Sequence, residues 1–333
     1  MKMPAEWEPH EATWLSWPKN LLTFPKEVLP QVEEVYLQII EALYRKEKVH
    51  LLVDDEKTKT KVQKLLEENS ISKNVHLHEI VTGDVWFRDY GPIFVKNSQM
   101  KMTKWLYNAY GGKYDDLLVD NGVVDKIAPI IDMEIYRPEI MLEGGSIEVN
   151  GAGSLITTEQ CLLNENRNKQ LNRQQIEKYL QDYLGVNNIV WLGSGIVGDD
   201  TDGHIDDMVR FASEKTVLAV IEGNKKDENY KPLMDNLRML KSAKDQDGQL
   251  FDVRTLPMPA PLKTKYGRLP ASYANFYIAN GVVLLPVFAD KKDDLAISIM
   301  EEVFPSRKIV PINCTSLVHG FGGIHCVTQQ QPK

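Results

Sequence analysis

Residues 322–332 read Gly322-Gly323-Ile324-His325-Cys326-Val327-Thr328-Gln329-Gln330-Gln331-Pro332. Neither glycine carries a Cβ, so the backbone can come close to another group there. The His-Cys-Val-Thr run then reads as a strand with the Cys326 thiol at its mouth. A single cysteine is usually a small buried hydrophobe. Here acidic groups and a histidine recur elsewhere in the same local setting, which favours a nucleophile. The strand opened at Cys326 also lacks the chain needed to finish a folding unit, so its partners are expected from the other end.

Working outward, four earlier stretches share the design of polar opener, strand, return strand, helix and third strand. The first opener is Gly83-Asp84-Val85-Trp86-Phe87-Arg88-Asp89-Tyr90-Gly91-Pro92, followed by strands at 93–95 and 101–106, a helix at 120–131 and a strand at 134–136. Glu143-Gly144-Gly145-Ser146 opens the next, with strands to 149 and over 155–158, a helix at 172–184 and a strand at 189–192. Asp202-Gly203-His204-Ile205-Asp206-Asp207 opens a third, with strands to 211 and over 217–221, a helix at 231–243 and a strand at 250–256. Ser272-Tyr273-Ala274-Asn275-Phe276 opens a fourth, with a turn at Asn280-Gly281, a helix at 293–303 and a strand at 307–312. The unit at Cys326 would be completed by the strand at 12–17, the helix at 28–46 and the strand at 49–53. A charged helix at 56–68 and a strand at 75–80 follow them. The repeat spacing is roughly 50 to 70 residues, which suits a ring of units. The expectation is one catalytic domain over 1–333, an α/β propeller of five strand-strand-helix-strand units with pseudo-fivefold symmetry, closed by both termini. An ordinary α/β domain with several hairpins is the alternative.

Composition narrows the partners. The chain has 333 residues, 43% hydrophobic, with net charge −8. This balance disfavours nucleic acid and anionic membrane, and suits a small cationic ligand. Cys161, Cys314 and Cys326 are too few for a disulfide framework. With no apolar leader and no run of the ~18–20 apolar residues a span needs, a cytoplasmic location is the expectation. A homo-oligomer is left open.

Three motifs are set aside. Gly193-Ser194-Gly195-Ile196-Val197-Gly198 matches the dinucleotide fingerprint, yet Asp199, Asp200 and Asp202 follow where a phosphate-binding helix should begin. The acidic run from Asp199 to Asp207 with His204 lacks zinc or calcium spacing, so no metal and no cofactor is expected. Asn164-Glu165-Asn166-Arg167-Asn168 reads as a solvated loop or helix entry.

In a ring, Asp89, Glu143, His204, Asp206, Asn275 and Cys326 converge. A thiol and a histidine alone would suit acyl transfer. Additional carboxylates do not, because an oxyanion needs donors. Carboxylates do suit a planar guanidinium, whose N–H fork they accept in pairs.

The motifs Trp86 to Pro92, Leu142 to Ser146, Asp202 to Asp206, Ala271 to Phe276 and Gly322 to Gln330 resemble the agmatine deiminase and bacterial peptidyl-arginine deiminase family. Met3 to His10 and Thr158 to Asn168 add to the likeness, which spans essentially the whole chain. The resemblance implies the pseudo-fivefold fold of guanidine-modifying enzymes. It implies Cys326 as nucleophile, His204 as general acid and base, and Asp89 and Asp206 as guanidinium-binding carboxylates. Glu143 would orient His204 or the substrate, and Trp86 would wall the pocket. Asn275 and Gly323 are carried over as substrate-binding positions, Asn275 with less weight. His325 is set aside as the base, because strand alternation would point it away. The link between Leu262 and Arg268 is shorter than in many agmatine deiminases, which bears on the substrate tail. The implied reaction is hydrolysis of agmatine to N-carbamoylputrescine and ammonia, in polyamine metabolism. Arginine or peptidyl-arginine deiminase is the alternative, favoured by an Arg or Lys placed to meet a carboxylate; none can be placed from the sequence. An amidinotransferase and a non-catalytic guanidine-binding protein remain as further readings.

Overall fold

The computed structural model describes residues 1–71, 73–265 and 267–333, and the architecture is mixed α/β. Among the described residues, five sheets hold three strands or more. Four share one plan, an antiparallel hairpin followed by a third strand parallel to its second. They are Ile93–Lys96, Met100–Thr103 and Ile135–Tyr136; Ile147–Val149, Ser154–Thr158 and Asn188–Leu192; Val209–Phe211, Thr216–Ile221 and Asp252–Pro257; Tyr277–Ala279, Val282–Val287 and Lys308–Asn313. The fifth joins the two ends of the sequence: Gln329–Pro332 runs antiparallel to His10–Ser16, and Lys48–Val53 and Val75–Glu79 follow in parallel.

A parallel neighbour requires a crossover, and a helix supplies each one. Leu29–Leu43 takes Pro30 in its first turn, where a missing N–H costs nothing, and buries Val32, Val35, Tyr36, Ile39, Ile40 and Leu43 at helical spacing. Arg173–Leu184 starts at a capping box between Asn172 and Gln175 and ends at Gly185, whose φ of 70° is a left-handed stop. Among the described residues, no helix is long and apolar enough to cross a membrane.

One expectation is corrected. His325 to Thr328 is not a strand: Ile324–Val327 forms one helical turn, and the strand begins at Gln329. The cause is side-chain competition for the backbone. Asn275 Oδ1 accepts from the N–H groups of both His325 and Cys326, at 2.9 and 3.3 Å, and Thr328 Oγ1 donates to Ile324 O at 2.9 Å. The openers at Phe87–Tyr90, Gly144–Ser146 and Ile205–Asp207 are likewise single helical turns. Side chains on such turns fan around an axis instead of alternating, so the alternation argument against His325 fails. The Asn164–Asn168 run is a helix entry, with Asn164 capping Glu165–Asn168, but it is not solvated, since Arg167 and Asn168 are buried. The short link contains a small hairpin, Lys263–Thr264 with Gly267–Arg268.

One buried carboxylate touches four of the five sheets or their openers, and reaches the fifth through Arg210. Glu6 Oε1 accepts from Arg210 Nη2 and from the Ile278 N–H, both at 2.8 Å. Its Oε2 contacts Arg88 Nη2 at 3.1 Å and His325 Nε2 at 2.8 Å. Arg210 Nε donates to Glu148 Oε2 at 3.0 Å. Burial works against the Glu6 charge, but Arg210, His325 and Arg88 together hold its carboxyl well below the usual range. Removing one partner from a buried ionic cluster strands the others. Glu6→Gln should therefore destabilise the fold by about 3–5 kcal/mol in urea unfolding. The wild-type contribution is present above the ordinary carboxylate range and is lost as pH falls through the depressed folded value. The gap between wild type and variant should accordingly shrink in acid.

Candidate active site

The first and last openers line a cavity of about 590 Å3 whose wall includes Trp86, Asp89, Tyr110, Gly322 and Cys326, while Glu143, His204, Asp206 and Asn275 are not part of that wall. Glycines make the approach possible. The Trp86 ring occupies the place where a Cβ on Gly322 would stand, and a Cβ on Gly323 would lie 2.5 Å from Asn275 Oδ1. On Gly145 a Cβ would lie 2.6 Å from His204 Nδ1, 2.9 Å from Asp89 Oδ1 and 3.0 Å from Asp206 Oδ2. These three polar groups therefore converge on one small gap.

Each expected residue has a definite place. Cys326 Sγ lies 3.8 Å from Asp206 Oδ2 and 3.1 Å from Asn275 Nδ2. Asn275 spends its amide on the Cys326 turn and on Asp207 Oδ1, so it holds the thiol from behind. Gly323 does the same, giving room to that amide. Asp206 Oδ2 meets His325 Nδ1 at 2.6 Å, while its Oδ1 is buried without a partner. Asp89 takes the Gly145 N–H at 2.9 Å and the Tyr110 hydroxyl at 2.9 Å, and lies 3.7 Å from His204 Nδ1. Glu143 Oε1 pairs with Arg167 Nε at 2.6 Å, leaving its buried Oε2 unpartnered. Both ring nitrogens of His204 lack a hydrogen-bond partner among the described residues. Those of His325 are both engaged, by Asp206 and Glu6. Bonding, not strand alternation, separates the two histidines.

The electrostatics follow from burial. Burial pushes the Cys326 thiol well up, and Asp206, Asp207 and Asp89 add to it. Asp89 is raised to about 6, first by burial, against His204 and with Asp206. For His204 burial works against the charge, yet Asp89, Cys161 and Glu143 keep it well above its ordinary value. The free site thus holds a protonated thiol, an imidazolium and carboxylates short of counter-charge.

Two contributors were missed in the sequence. Tyr110 reaches Asp89 from a left-handed turn in which Ala109 and Tyr110 have φ of 53° and 59°. Such backbone costs about 1–2 kcal/mol per non-glycine residue and gathers at functional sites. The following Gly111-Gly112 pair was the available signal. Arg167 bridges Glu143 and Asp202, the latter at 2.9 Å. Its signal was weak, because a polar run usually lies in solvent. Two groups have donor atoms close enough for a metal ion, Glu143 with Cys161 and His204, and Asp206 with Asp207 and Cys326. They draw His204, Asp206 and Asp207 from the run that the sequence singled out, and add Glu143, Cys161 and Cys326 from outside it.

The fold and this thiol-histidine-carboxylate site define a guanidine-modifying class, and residues 2–332 match the Porphyromonas-type peptidyl-arginine deiminase family. The chain belongs to that family. It is 35% identical to the agmatine deiminase of Ectopseudomonas mendocina, over 99% of this chain and 95% of that protein. The structure of Enterococcus faecalis agmatine deiminase superposes with a TM-score of 0.91 at 32% identity, over 100% of this chain and 96% of the other. A cysteine-to-serine variant of C. jejuni agmatine deiminase with substrate bound gives 0.90 at 32% identity, over 100% and 96%.

A cation bound by Asp89 needs that carboxyl ionised. As pH falls below about 6, Asp89 takes up a proton and the site loses the charge. kcat/KM for a guanidinium substrate should then fall about tenfold per pH unit on the acid side. A flat profile down to the ordinary carboxylate range would show that Asp89 carries no such role.

Proposed function

We propose that this chain is an agmatine deiminase, hydrolysing agmatine to N-carbamoylputrescine and ammonia, with 1–333 acting as one catalytic domain. The observation that carries the reading is buried negative charge short of donors around a thiol and a histidine: Asp206 Oδ1 on the Cys326 side and Glu143 Oε2 on the His204 side have no donor among the described residues, and Asp89 is raised to about 6. A guanidinium brings five N–H donors and a positive charge, and satisfies them together. The five similar sheets also support a pseudo-fivefold α/β propeller closed through the pairing of both sequence ends.

In the mechanism, the bound cation lowers the Cys326 thiol from its raised resting value, because an opposite charge nearby favours the thiolate, and the thiol proton passes to solvent. Sγ attacks the guanidinium carbon, forming a C–S bond. The imidazolium of His204 gives its proton to the departing nitrogen, which leaves as ammonia as the C–N bond breaks. A thiouronium intermediate remains on Cys326. His204, now neutral, takes a proton from water as its oxygen adds to the same carbon. The C–S bond breaks, and the ureido product and the thiol are released. Asp89 and Asp206 hold the guanidinium, Glu143 faces His204, and Trp86 forms the wall.

Among the charged side chains on the cavity wall, acids outnumber bases, with Glu27, Asp84, Asp116 and Asp200 beyond Asp89. That supports a substrate whose far end is also cationic. Lys265 lines the same cavity, a position the sequence reading had not found, and it keeps arginine as the second candidate. Ammonia release from agmatine, arginine and a blocked arginine peptide, measured side by side, should rank agmatine first by kcat/KM. Cys326→Ser should abolish turnover while still binding agmatine in calorimetry; wild-type turnover in that variant would rule out the covalent route. Exhaustive chelation should leave activity unchanged, and a loss restored by one divalent ion would instead point to the two metal-sized clusters.

A further inference from the structure

Cys161 has no part in the reaction as drawn above, yet it lies close to His204. Its Sγ, the Glu143 carboxylate and a His204 ring nitrogen are within 4.8 Å of one another. Cys161 is fully buried. Its backbone is tied to the His204 loop through a single hydroxyl. Thr158 Oγ1 accepts the Cys161 N–H at 3.2 Å and donates to Gly203 O at 2.6 Å, one residue before His204. Gln160 Oε1, next to Cys161, takes the Gly195 N–H at 2.7 Å and packs on Gly203. Six residues further on, Arg167 grips Glu143 and Asp202. The segment from Thr158 to Arg167 thus fixes Cys161, Glu143 and His204 relative to one another.

We propose that Cys161 is a positioning residue for His204, its sulfur serving as the weak, uncharged partner that sets the imidazole for proton transfer. The proposal rests on the deiminase reading above. His204 has no partner in hydrogen-bonding geometry in the free site, and such bonds often tighten only once substrate is bound. Sulfur is a weak acceptor for an imidazolium N–H. Burial keeps the Cys161 thiol protonated, so it brings no further charge. This matters because the ring already faces Asp89, Glu143, Asp206 and Asp207, with the Tyr110 ring 6.1 Å away and Arg167 behind Glu143. Another carboxylate would hold the imidazolium proton too tightly to release it to ammonia. A thiol orients the ring and leaves the proton mobile.

The test compares Cys161→Ala, Cys161→Ser and the volume-conserving Cys161→Val with wild type on agmatine, each checked for a folded state by its thermal transition. In Cys161→Ala, kcat should fall about tenfold. KM should stay within about twofold. Loss of a contact that favours the imidazolium should also move the alkaline limb of kcat/KM down by about one pH unit. Cys161→Val should match Ala, and Cys161→Ser, which keeps a hydrogen-bonding group, should recover most of the rate and the limb. Cys314→Ser, which alters a buried thiol outside the cavity wall, should leave the profile unmoved. Wild-type kcat and pH limb in a folded Ala or Val variant would overturn the proposal. So would a shared loss of stability and rate in all three variants with the limb in place. A wild-type protein that releases no ammonia from any guanidine would instead overturn the deiminase reading, and this proposal with it.

Discussion

The Glu6 carboxylate is the constraint on which the arrangement depends. It accepts from Arg88, Arg210, His325 and the Ile278 backbone, which come from or border four different sheets. Arg210 extends the cluster to Glu148 on the remaining one. Taking such charges out of water is expensive, and apolar packing of equal volume often stabilises as much or more. What the ionic cluster adds is geometry. Arg210 also donates to Phe276 O and to Ala274 O, so one guanidinium fixes the opener that carries Asn275. A greasy centre would tolerate small rotations of each sheet; a fully bonded one does not.

That rigidity passes outward to the site through one imidazole. His325 spans from Glu6 to Asp206, so the carboxylate nearest the thiol is oriented by the same cluster that joins the sheets. The site itself is left electrically incomplete. Burial and neighbouring acids raise Asp89 and the Cys326 thiol, and Asp206 Oδ1 and Glu143 Oε2 have no donors. Rigid protein holds these groups where water would otherwise relax around them, which is the setting in which electrostatic preorganisation is strongest. An incoming cation removes several penalties at once.

Much of this was legible in the residues, for a physical reason in each case. The helices Glu56–Glu68 and Asp293–Val303 follow from periodicity, which is local. Pairing between Gln329–Pro332 and His10–Ser16 was legible because an unfinished unit at one end matched spare elements at the other. Gly322 and Gly323 signalled a close approach, and the Trp86 ring and Asn275 fill it. Illegible parts share the opposite property. Glu6 meets Arg210 across 204 positions, and nothing near either residue announces the other. Arg167 sits in a polar run that looks solvated, because the acids it neutralises lie 24 and 35 positions away. The His325–Thr328 run was read as a strand because its residue types fit one, whereas the Asn275 and Thr328 side chains capture its backbone and wind it into a turn.

The two histidines show why sequence adjacency is a poor guide to chemical role. His325 is next to the nucleophile, but a base must be free to gain and lose a proton. Each of its nitrogens is already committed to a carboxylate, Asp206 at 2.6 Å and Glu6 at 2.8 Å. His204 lies 122 positions before Cys326, by subtraction of their numbers, and both its nitrogens are uncommitted. Its backbone is pinned instead, by Asp199 Oδ2 on the N–H groups of Gly203 and His204 at 2.8 and 3.1 Å. Fixing the main chain while leaving the ring nitrogens open lets one imidazole change protonation without moving the structure. The other imidazole is fixed through its ring, between Asp206 and Glu6.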